Sequence, residues 1–97
     1  MSPVFAVKQA LKEAGHPTGF LCDCQPEVFR GGEDPGGYSS HGSLACVVHE
    51  GTDVPDEYNH PDPLQWWIDL GDRVSTLLGY DVFFESHNSC VSSLYRS

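Results

Sequence analysis

Lysine and arginine are scarce in this sequence, and the stretch between Gly31 and Asp72 contains neither. The whole chain of 97 residues has five of them against 14 acidic residues, which gives a formal net charge of −9. Binding to the phosphates of DNA or RNA requires clustered basic side chains, so the composition excludes direct nucleic-acid binding. The same scarcity argues against attraction to an anionic membrane surface. The partners that this charge favours are cationic.

Long apolar runs are absent as well. No stretch approaches the ~20 residues that a transmembrane helix needs. The first twenty residues lack the basic start, apolar centre and small-residue cleavage site of a secretory signal. These absences predict a cytoplasmic protein whose four cysteines are reduced. The length predicts one domain over residues 1–97, with a single modest core.

Nine carboxylates occupy the stretch without a cation, which we call the acid-rich segment (residues 31–72). They are Glu33, Asp34, Glu50, Asp53, Asp56, Glu57, Asp62, Asp69 and Asp72. Ordinary protein surfaces intersperse both signs of charge, so this segment indicates a one-signed surface. Two interpretations stay open. The surface is either a solvated acidic face or an electrostatic mimic of a phosphate backbone that occupies the basic groove of another protein.

The sequence predicts two amphipathic helices. The first begins with Ser2 as its cap and Pro3 at its first position, and it ends before Gly15. The second begins after the capping residue Asp62 and ends at Gly79. Both helices have an apolar stripe that must be buried against other elements.

Strands are predicted where apolar or β-branched residues alternate over short stretches. These stretches are residues 20–24, 43–49 and 80–85, with a weaker one at 90–95. A glycine-rich loop from Arg30 to Gly42 separates the first two, and an acidic loop (residues 51–61) precedes the second helix. This order predicts an α+β fold, in which an antiparallel sheet of three to five short strands carries two helices packed on one face.

The apolar side of the second helix is wider than one core contact requires. If Leu64, Trp67, Gly71, Val74 and Leu78 face the core, the remaining apolar flank consists of Trp66, Leu70 and Leu77. Two interpretations of this flank stay open. It contacts a partner, in the simplest case a second copy in a homodimer through helix 62–78, or the glycine-rich loop or C-terminal strand folds over it.

The layout resembles that of many short proteins encoded by actinobacterial phages. The resemblance depends on Ala10–Gly15, on Val74–Val82 and on the glycine-rich hairpin between them. Small acidic phage proteins with known roles tend to inhibit host enzymes or defence systems. The resemblance therefore implies a protein that acts in the cytoplasm of a host cell, and it implies no functional residues.

The sequence thus predicts a small acidic binding protein that docks on a basic surface of a host protein and inhibits or modulates it. We expect no catalytic residue and no cofactor, because nothing marks a cysteine as activated by a neighbouring cation or helix terminus. The predicted contact residues combine electrostatic steering with apolar anchors. They are Asp53, Asp56, Glu57, Tyr58, Asp62, Trp66 and Leu70.

Two alternatives belong to other functional classes. Cys22, Cys24, Cys46 and His49 have the ligand types of a zinc site. However, Cys46 and His49 would point to opposite faces of a regular strand, and the favoured interpretation is that the cysteines are small buried apolar residues. The second alternative is a protein that sequesters a small molecule, with the glycine-rich loop as a flap.

Overall fold

The computed structural model describes residues 1–19, 25–39 and 42–97. Within them lie α1 (Pro3–Glu13), β1 (Glu27–Arg30), β2 (Ala45–Val48), α2 (Pro63–Leu78), β3 (Val82–Ser86) and β4 (Val91–Arg96). The strands form one antiparallel sheet in the order β1-β2-β4-β3. The predicted α+β fold is confirmed.

Both helices begin at the predicted caps. The Ser2 hydroxyl accepts a hydrogen bond from the backbone N–H of Phe5 at 3.2 Å, and the Asp62 carboxylate accepts one from that of Gln65 at 3.2 Å. Helix α2 ends at Gly79, whose φ of +82° is the left-handed conformation that glycine adopts most readily. Neither helix in the described part of the chain has the length and apolarity required to cross a bilayer.

One face of the sheet packs against both helices. Helix α1 contacts β1 and β2, helix α2 contacts β3, and the helices contact each other. The buried core combines small and branched side chains with one indole. It consists of Ala6, Val7, Ala10, Leu11, Ala45, Val47, Val54, Trp67, Leu70, Val74, Val82 and Leu94. Removing this apolar surface from water is the main favourable term in folding.

The described part of the glycine-rich loop covers the opposite face of the sheet. Cys46 alternates with core residues along β2, so its side chain points away from the helices, yet it is fully buried. Asp34 organises the loop above it. The Asp34 carboxylate accepts hydrogen bonds from the backbone N–H groups of Tyr38 (2.6 Å) and Ser39 (3.0 Å) and from the Ser39 hydroxyl.

The first strand differs from the sequence prediction. The predicted strand at 20–24 lies outside the described residues, and β1 begins at Glu27, directly after Pro26. The stretch Glu27–Arg30 has a charged, exposed residue at each end and only two half-buried residues between them. So short an edge strand has no clear apolar alternation, and for this reason the sequence prediction missed it.

The final strand is confirmed, and it lies inside the sheet although it is rich in serine. Ser92 and Ser93 are both fully buried. The Ser92 hydroxyl lies 3.1 Å from that of Ser86 and 3.3 Å from His49 Nε2, and the Ser93 hydroxyl lies 2.8 Å from His87 Nε2. Buried hydroxyls are tolerated when they are hydrogen-bonded, so β4 can lie between β2 and β3.

The apolar flank of α2, which consists of Trp66, Leu70 and Leu77, is buried or half-buried in the structure. Leu70 retains only 4% of its accessible surface and belongs to the core, while Trp66 is half-buried against His16, with ring centroids 5.5 Å apart. Leu64, which was assigned to the core, is 71% exposed. Neither of the two interpretations left open for this flank, a partner contact or cover by the glycine-rich loop or C-terminal strand, included helix α1, which packs along α2.

Candidate functional site

A cleft of about 420 Å³ lies between the acidic loop, the first turns of α2 and the end of β3. The buried side chains of Trp67 and Pro55 form its inner wall, together with Phe84. The exposed acidic residues Glu57 and Glu85 are also among the residues that line it. The cleft therefore combines an apolar interior with an acidic opening.

Trp67 fixes the inner wall of the cleft. Its indole Nε1 donates a hydrogen bond to the carbonyl oxygen of Pro55 at 2.9 Å. Its ring contacts those of His49, Phe84 and Trp66, at centroid distances of 5.1, 5.0 and 5.1 Å. Inclined aromatic pairs at such distances attract one another beyond the burial of their area. The wall is thus a packed aromatic cluster on a helix.

His49, which follows β2, is also among the residues that line the cleft. It retains 2% of its accessible surface, and its Nε2 lies 3.3 Å from the Ser92 hydroxyl. Its Nδ1 has no hydrogen-bond partner among the described residues. Burial lowers the pKa of His49 to about 4, against the opposing charge of Asp56. The ring is therefore neutral at pH 7.

The carboxylates around the cleft have no cationic partner within the described residues. The ion pairs within the described part of the chain join Arg30 to Glu33, at 3.9 Å, and Arg73 to Glu13. The hydrogen bonds from Arg73 lower the pKa of Glu13 to about 2. Arg96 lies over the ring of Tyr80, at 4.2 Å from its centroid. None of these pairs reaches the cleft.

Two of the predicted contact residues also organise the local backbone. Asp56 accepts hydrogen bonds from the backbone N–H groups of Tyr58, at 2.8 Å, and Asn59, at 3.1 Å. Asp62 caps α2. Such side-chain to backbone bonds are typical of tight turns. The acidic loop therefore holds its carboxylates in a fixed backbone arrangement.

The structure brings only part of the predicted site together. Asp56 and Glu57 line the cleft, whereas Asp53, Asp62 and the 83%-exposed Tyr58 lie outside its lining. Trp66 packs on His16 and Trp67 in a different surface depression. The predicted partner contact through Leu70 is wrong, because this side chain is in the core.

Sequence reasoning missed three residues that shape the cleft. Glu85 lies beyond the acid-rich segment, and His49 was considered only as a zinc ligand. Phe84 lies in the strand predicted at 80–85, with no link to the acidic loop. The sequence does show that Glu85 follows Phe84 and is the last acidic residue before the turn after β3. It does not show that β3 ends beside the acidic loop.

The proposed zinc ligands are only partly described. Cys22 and Cys24 lie outside the described residues. Cys46 and His49 are on opposite sides of the sheet: His49 packs on Trp67, while Cys46 faces Ser39 and Ser93. Burial raises the pKa of the Cys46 thiol. In residues 1–19, 25–39 and 42–97, no three His, Cys, Asp or Glu side chains are grouped so as to hold a metal ion.

No family model, curated protein or solved structure matches this chain. The resemblance to phage proteins and the homodimer through helix 62–78 therefore stay predictions. The features that bear on function are the cleft and its charges.

Proposed function

We propose that this chain is a small binding protein that docks on a basic surface of another protein and thereby occupies that surface. The observation that carries the proposal is that the acidic residues Asp56, Glu57 and Glu85 all line one cleft, with no lysine or arginine paired to them in the described part of the chain. Such a one-signed rim attracts cationic partners over a distance and raises the association rate.

Exposed apolar side chains next to the acidic rim support this proposal. Leu64, at the mouth of the cleft, is 71% exposed, and Tyr58 in the acidic loop is 83% exposed. Interfaces typically combine a few large apolar anchors with a polar rim. Electrostatic steering would supply speed and specificity, and burial of these anchors would supply most of the affinity.

The resemblance to phage proteins favours a particular form of the proposal, in which the partner is a host protein and docking inhibits or modulates it. A basic groove that normally holds nucleic acid is a suitable target, because an acidic surface competes for the same cations. This form uses the same acidic cleft and needs no catalytic residue.

A pull-down from bacterial lysate with charge variants tests the proposal. The tagged protein should retain a partner at about 50 mM salt and release most of it at about 500 mM, because salt screens exposed charges. Glu57→Gln combined with Glu85→Gln should retain much less. Glu27→Gln combined with Glu33→Gln is the matched control, since it removes the same charge from β1 and the loop after it, at the opposite edge of the sheet from β3.

Two results would contradict electrostatic docking through this cleft. One is retention of the same partner at both salt concentrations. The other is equal loss in the two double variants, which would mean that only the net charge matters.

A further inference from the structure

Strand β3 lies at one edge of the sheet, and its pairing with β4 shows which of its backbone groups point outward. The N–H of His87 donates to the carbonyl oxygen of Val91 at 2.9 Å. The N–H of Ser97 donates to that of Asp81 at 3.1 Å. Antiparallel pairs alternate between residues that bond across the pair and residues that do not. The residues of β3 whose N–H and C=O groups point away from β4 are therefore Val82, Phe84 and Ser86.

Helix α2 closes only the first part of this edge. The N–H of Val82 donates to the Ser75 hydroxyl at 3.0 Å, and the same hydroxyl donates to the Val82 carbonyl oxygen at 3.2 Å. Apart from strand pairing, no hydrogen bond reaches the backbone of Phe84 or Ser86 within the described residues. The second half of the edge therefore keeps backbone donors and acceptors that a further strand could use.

The open half of the edge belongs to the cleft. Phe84, Glu85 and Ser86 all line it, and Ser86 is exposed. Unpaired backbone groups at a sheet edge are a template for pairing with another chain. This observation is independent of the charges around the cleft, and it points to an extended polypeptide as the occupant.

The opposite edge of the sheet offers less to a further strand. Pro26, directly before β1, has no N–H. The carbonyl oxygen of Arg30, at the end of β1, accepts a hydrogen bond from the N–H of Glu33 at 3.0 Å. Proline and lysine are typical of edges that are protected from pairing, and the stretch Val82–Ser86 contains neither. The β3 edge is thus the better site for strand addition.

The two faces of β3 determine which side chains an added strand requires. Phe84 packs on Trp67, so its side chain faces the helices, and that of Glu85 points to the other face of the sheet. Side chains directly opposite one another on neighbouring strands interact, and opposite charges stabilise the pair. A basic residue therefore suits the position opposite Glu85. Its neighbours in the added strand face the helices, where the cleft has an apolar wall and the exposed Leu64.

We propose that the basic partner docks by adding an extended segment to β3 as a further antiparallel strand, in which apolar and basic residues alternate. The backbone of this segment pairs with Phe84 and Ser86. Its apolar side chains enter the cleft, and a lysine or arginine lies opposite Glu85. In such strand addition, main-chain hydrogen bonds supply affinity and alternate side chains supply specificity. This inference rests on the proposed function, because it names the form in which the basic partner is recognised.

A second copy of this chain is a poor occupant of the edge. Each copy has a net charge of −9. Pairing of two β3 strands about a two-fold axis would also bring the two Glu85 side chains towards one another, and like charges on neighbouring strands are destabilising. Charge complementarity therefore selects a different chain that carries basic residues.

An NMR titration of the full chain with a short peptide tests the inference without any partner protein. The probe is acetyl-Lys-Val-Lys-Val-Lys-amide, whose valines fit opposite Phe84 and Ser86 when the central lysine lies opposite Glu85. It should shift the backbone amide signals of Phe84 and Ser86 and slow their exchange with deuterium. Acetyl-Glu-Val-Glu-Val-Glu-amide is the charge control and should bind at least about five-fold more weakly.

Methylation of the peptide backbone separates strand pairing from plain charge attraction. Methyl groups on both valine nitrogens remove the donors to the carbonyl oxygens of Phe84 and Ser86, and the loss of two hydrogen bonds should weaken binding at least about five-fold. The N–H of the central lysine points away from β3 in this register. A methyl group on that nitrogen is the matched control and should leave the affinity nearly unchanged.

Variants of the chain connect binding to this edge. Glu85→Gln should weaken binding of the lysine peptide several-fold, because it removes the charge opposite the central lysine. Glu27→Gln removes one charge from β1, at the other edge of the sheet, and should leave binding unchanged. Both positions are exposed, so both variants should retain the fold.

Several results would overturn the inference. They are equal binding of the peptide methylated on its valines, equal binding of the glutamate peptide, equal effects of the two variants, and shifts confined to β1. Concentration-dependent shifts of Phe84 and Ser86 in the free protein would overturn it as well, since a second copy would then occupy the edge. Binding of the lysine peptide together with a pull-down that captures nothing would count against the docking function alone, so the two proposals can fail separately.

Discussion

The indole Nε1 of Trp67 donates a hydrogen bond to the carbonyl oxygen of Pro55 at 2.9 Å, and this bond ties helix α2 to the acidic loop. Both residues are buried. The next two residues of the loop, Asp56 and Glu57, line the cleft. This donor on the helix is therefore one of the contacts that set the position of the acidic loop.

Replacing Trp67 by phenylalanine should destabilise the fold. The change removes the donor and leaves the buried carbonyl oxygen of Pro55 without a partner, which costs about 1–3 kcal/mol in addition to the lost packing. Trp66→Phe is the matched control, because Trp66 is only half-buried. Urea unfolding at pH 7 should give the larger loss for Trp67→Phe. Equal losses would show that the bond to Pro55 does not matter to stability.

Gly71→Ala should stabilise the protein, although this glycine lies where α2 approaches β3. An added Cβ would lie 3.7 Å from Phe83 Cα and 3.7 Å from Phe84 Cδ2, which is ordinary van der Waals contact. Alanine is favoured over glycine inside a helix by about 0.8–1 kcal/mol. The midpoint of thermal unfolding should therefore rise by several degrees.

Gly79→Ala is the contrasting variant. Gly79 has a φ of +82° at the end of α2, where a Cβ brings a steric cost of roughly 1–2 kcal/mol. This variant should unfold at a lower temperature than the wild type. A loss of stability in Gly71→Ala as large as that in Gly79→Ala would mean that the helix-to-sheet contact has no room for a methyl group.

The helices could be predicted because their limits are local. Ser2, Asp62 and Gly79 act on backbone groups within one turn, so the relevant physics is contained in a few consecutive residues. The sheet was harder. Strand β4 is buried because hydroxyl pairs such as Ser92 with Ser86 form across strands, and a serine-rich sequence does not show that such partners exist.

Only the side of the cleft that the acidic loop forms could be predicted from the sequence. The acid-rich segment identified Asp56 and Glu57 because a long absence of cations is visible without a structure. Glu85 and His49 join them only after β3 and β2 take their places in the sheet. The same limit explains the error at Leu70, since a helical wheel shows which side of α2 is apolar but not that α1 covers that residue.

Asp34→Ala should loosen the glycine-rich loop. Burial acts to raise the pKa of Asp34, but hydrogen bonds from Ser39 and Tyr38 lower it overall, so the ionised carboxylate is the form that holds the loop. Removing it leaves these donors without their partner and should cost about 2 kcal/mol. Alkylation of the buried Cys46 thiol, followed by peptide mass spectrometry, should become faster.

Glu33→Ala provides the control for this loop variant. Glu33 is exposed and forms only a long ion pair with Arg30, at 3.9 Å, and such pairs contribute about 0–1 kcal/mol. Stability and Cys46 alkylation should stay close to wild type. If both alanine variants alkylate at the wild-type rate, the loop does not depend on Asp34 for its closure.

Acid should destabilise the protein through His49 in a defined pH range. The pKa of His49 is lowered from 6.5 to about 4 in the folded state because burial disfavours the charged ring. As the pH falls from 7 to 4, the unfolded chain takes up a proton at this residue that the folded chain does not, so the free energy of unfolding decreases. The difference between the two pKa values corresponds to roughly 3 kcal/mol, and the loss should be complete near pH 4.

This dependence can be separated from that of the carboxylates. Hydrogen bonds from Ser39 and Tyr38 hold the folded-state pKa of Asp34 below its ordinary value, so its contribution is lost at lower pH than that of His49. An NMR titration should show the His49 ring neutral down to about pH 5. The variant His49→Gln should be less stable at pH 7 but show a flatter decline between pH 7 and 5. If the His49 ring instead protonates near 6.5, the imidazole is open to water and burial does not suppress its charge.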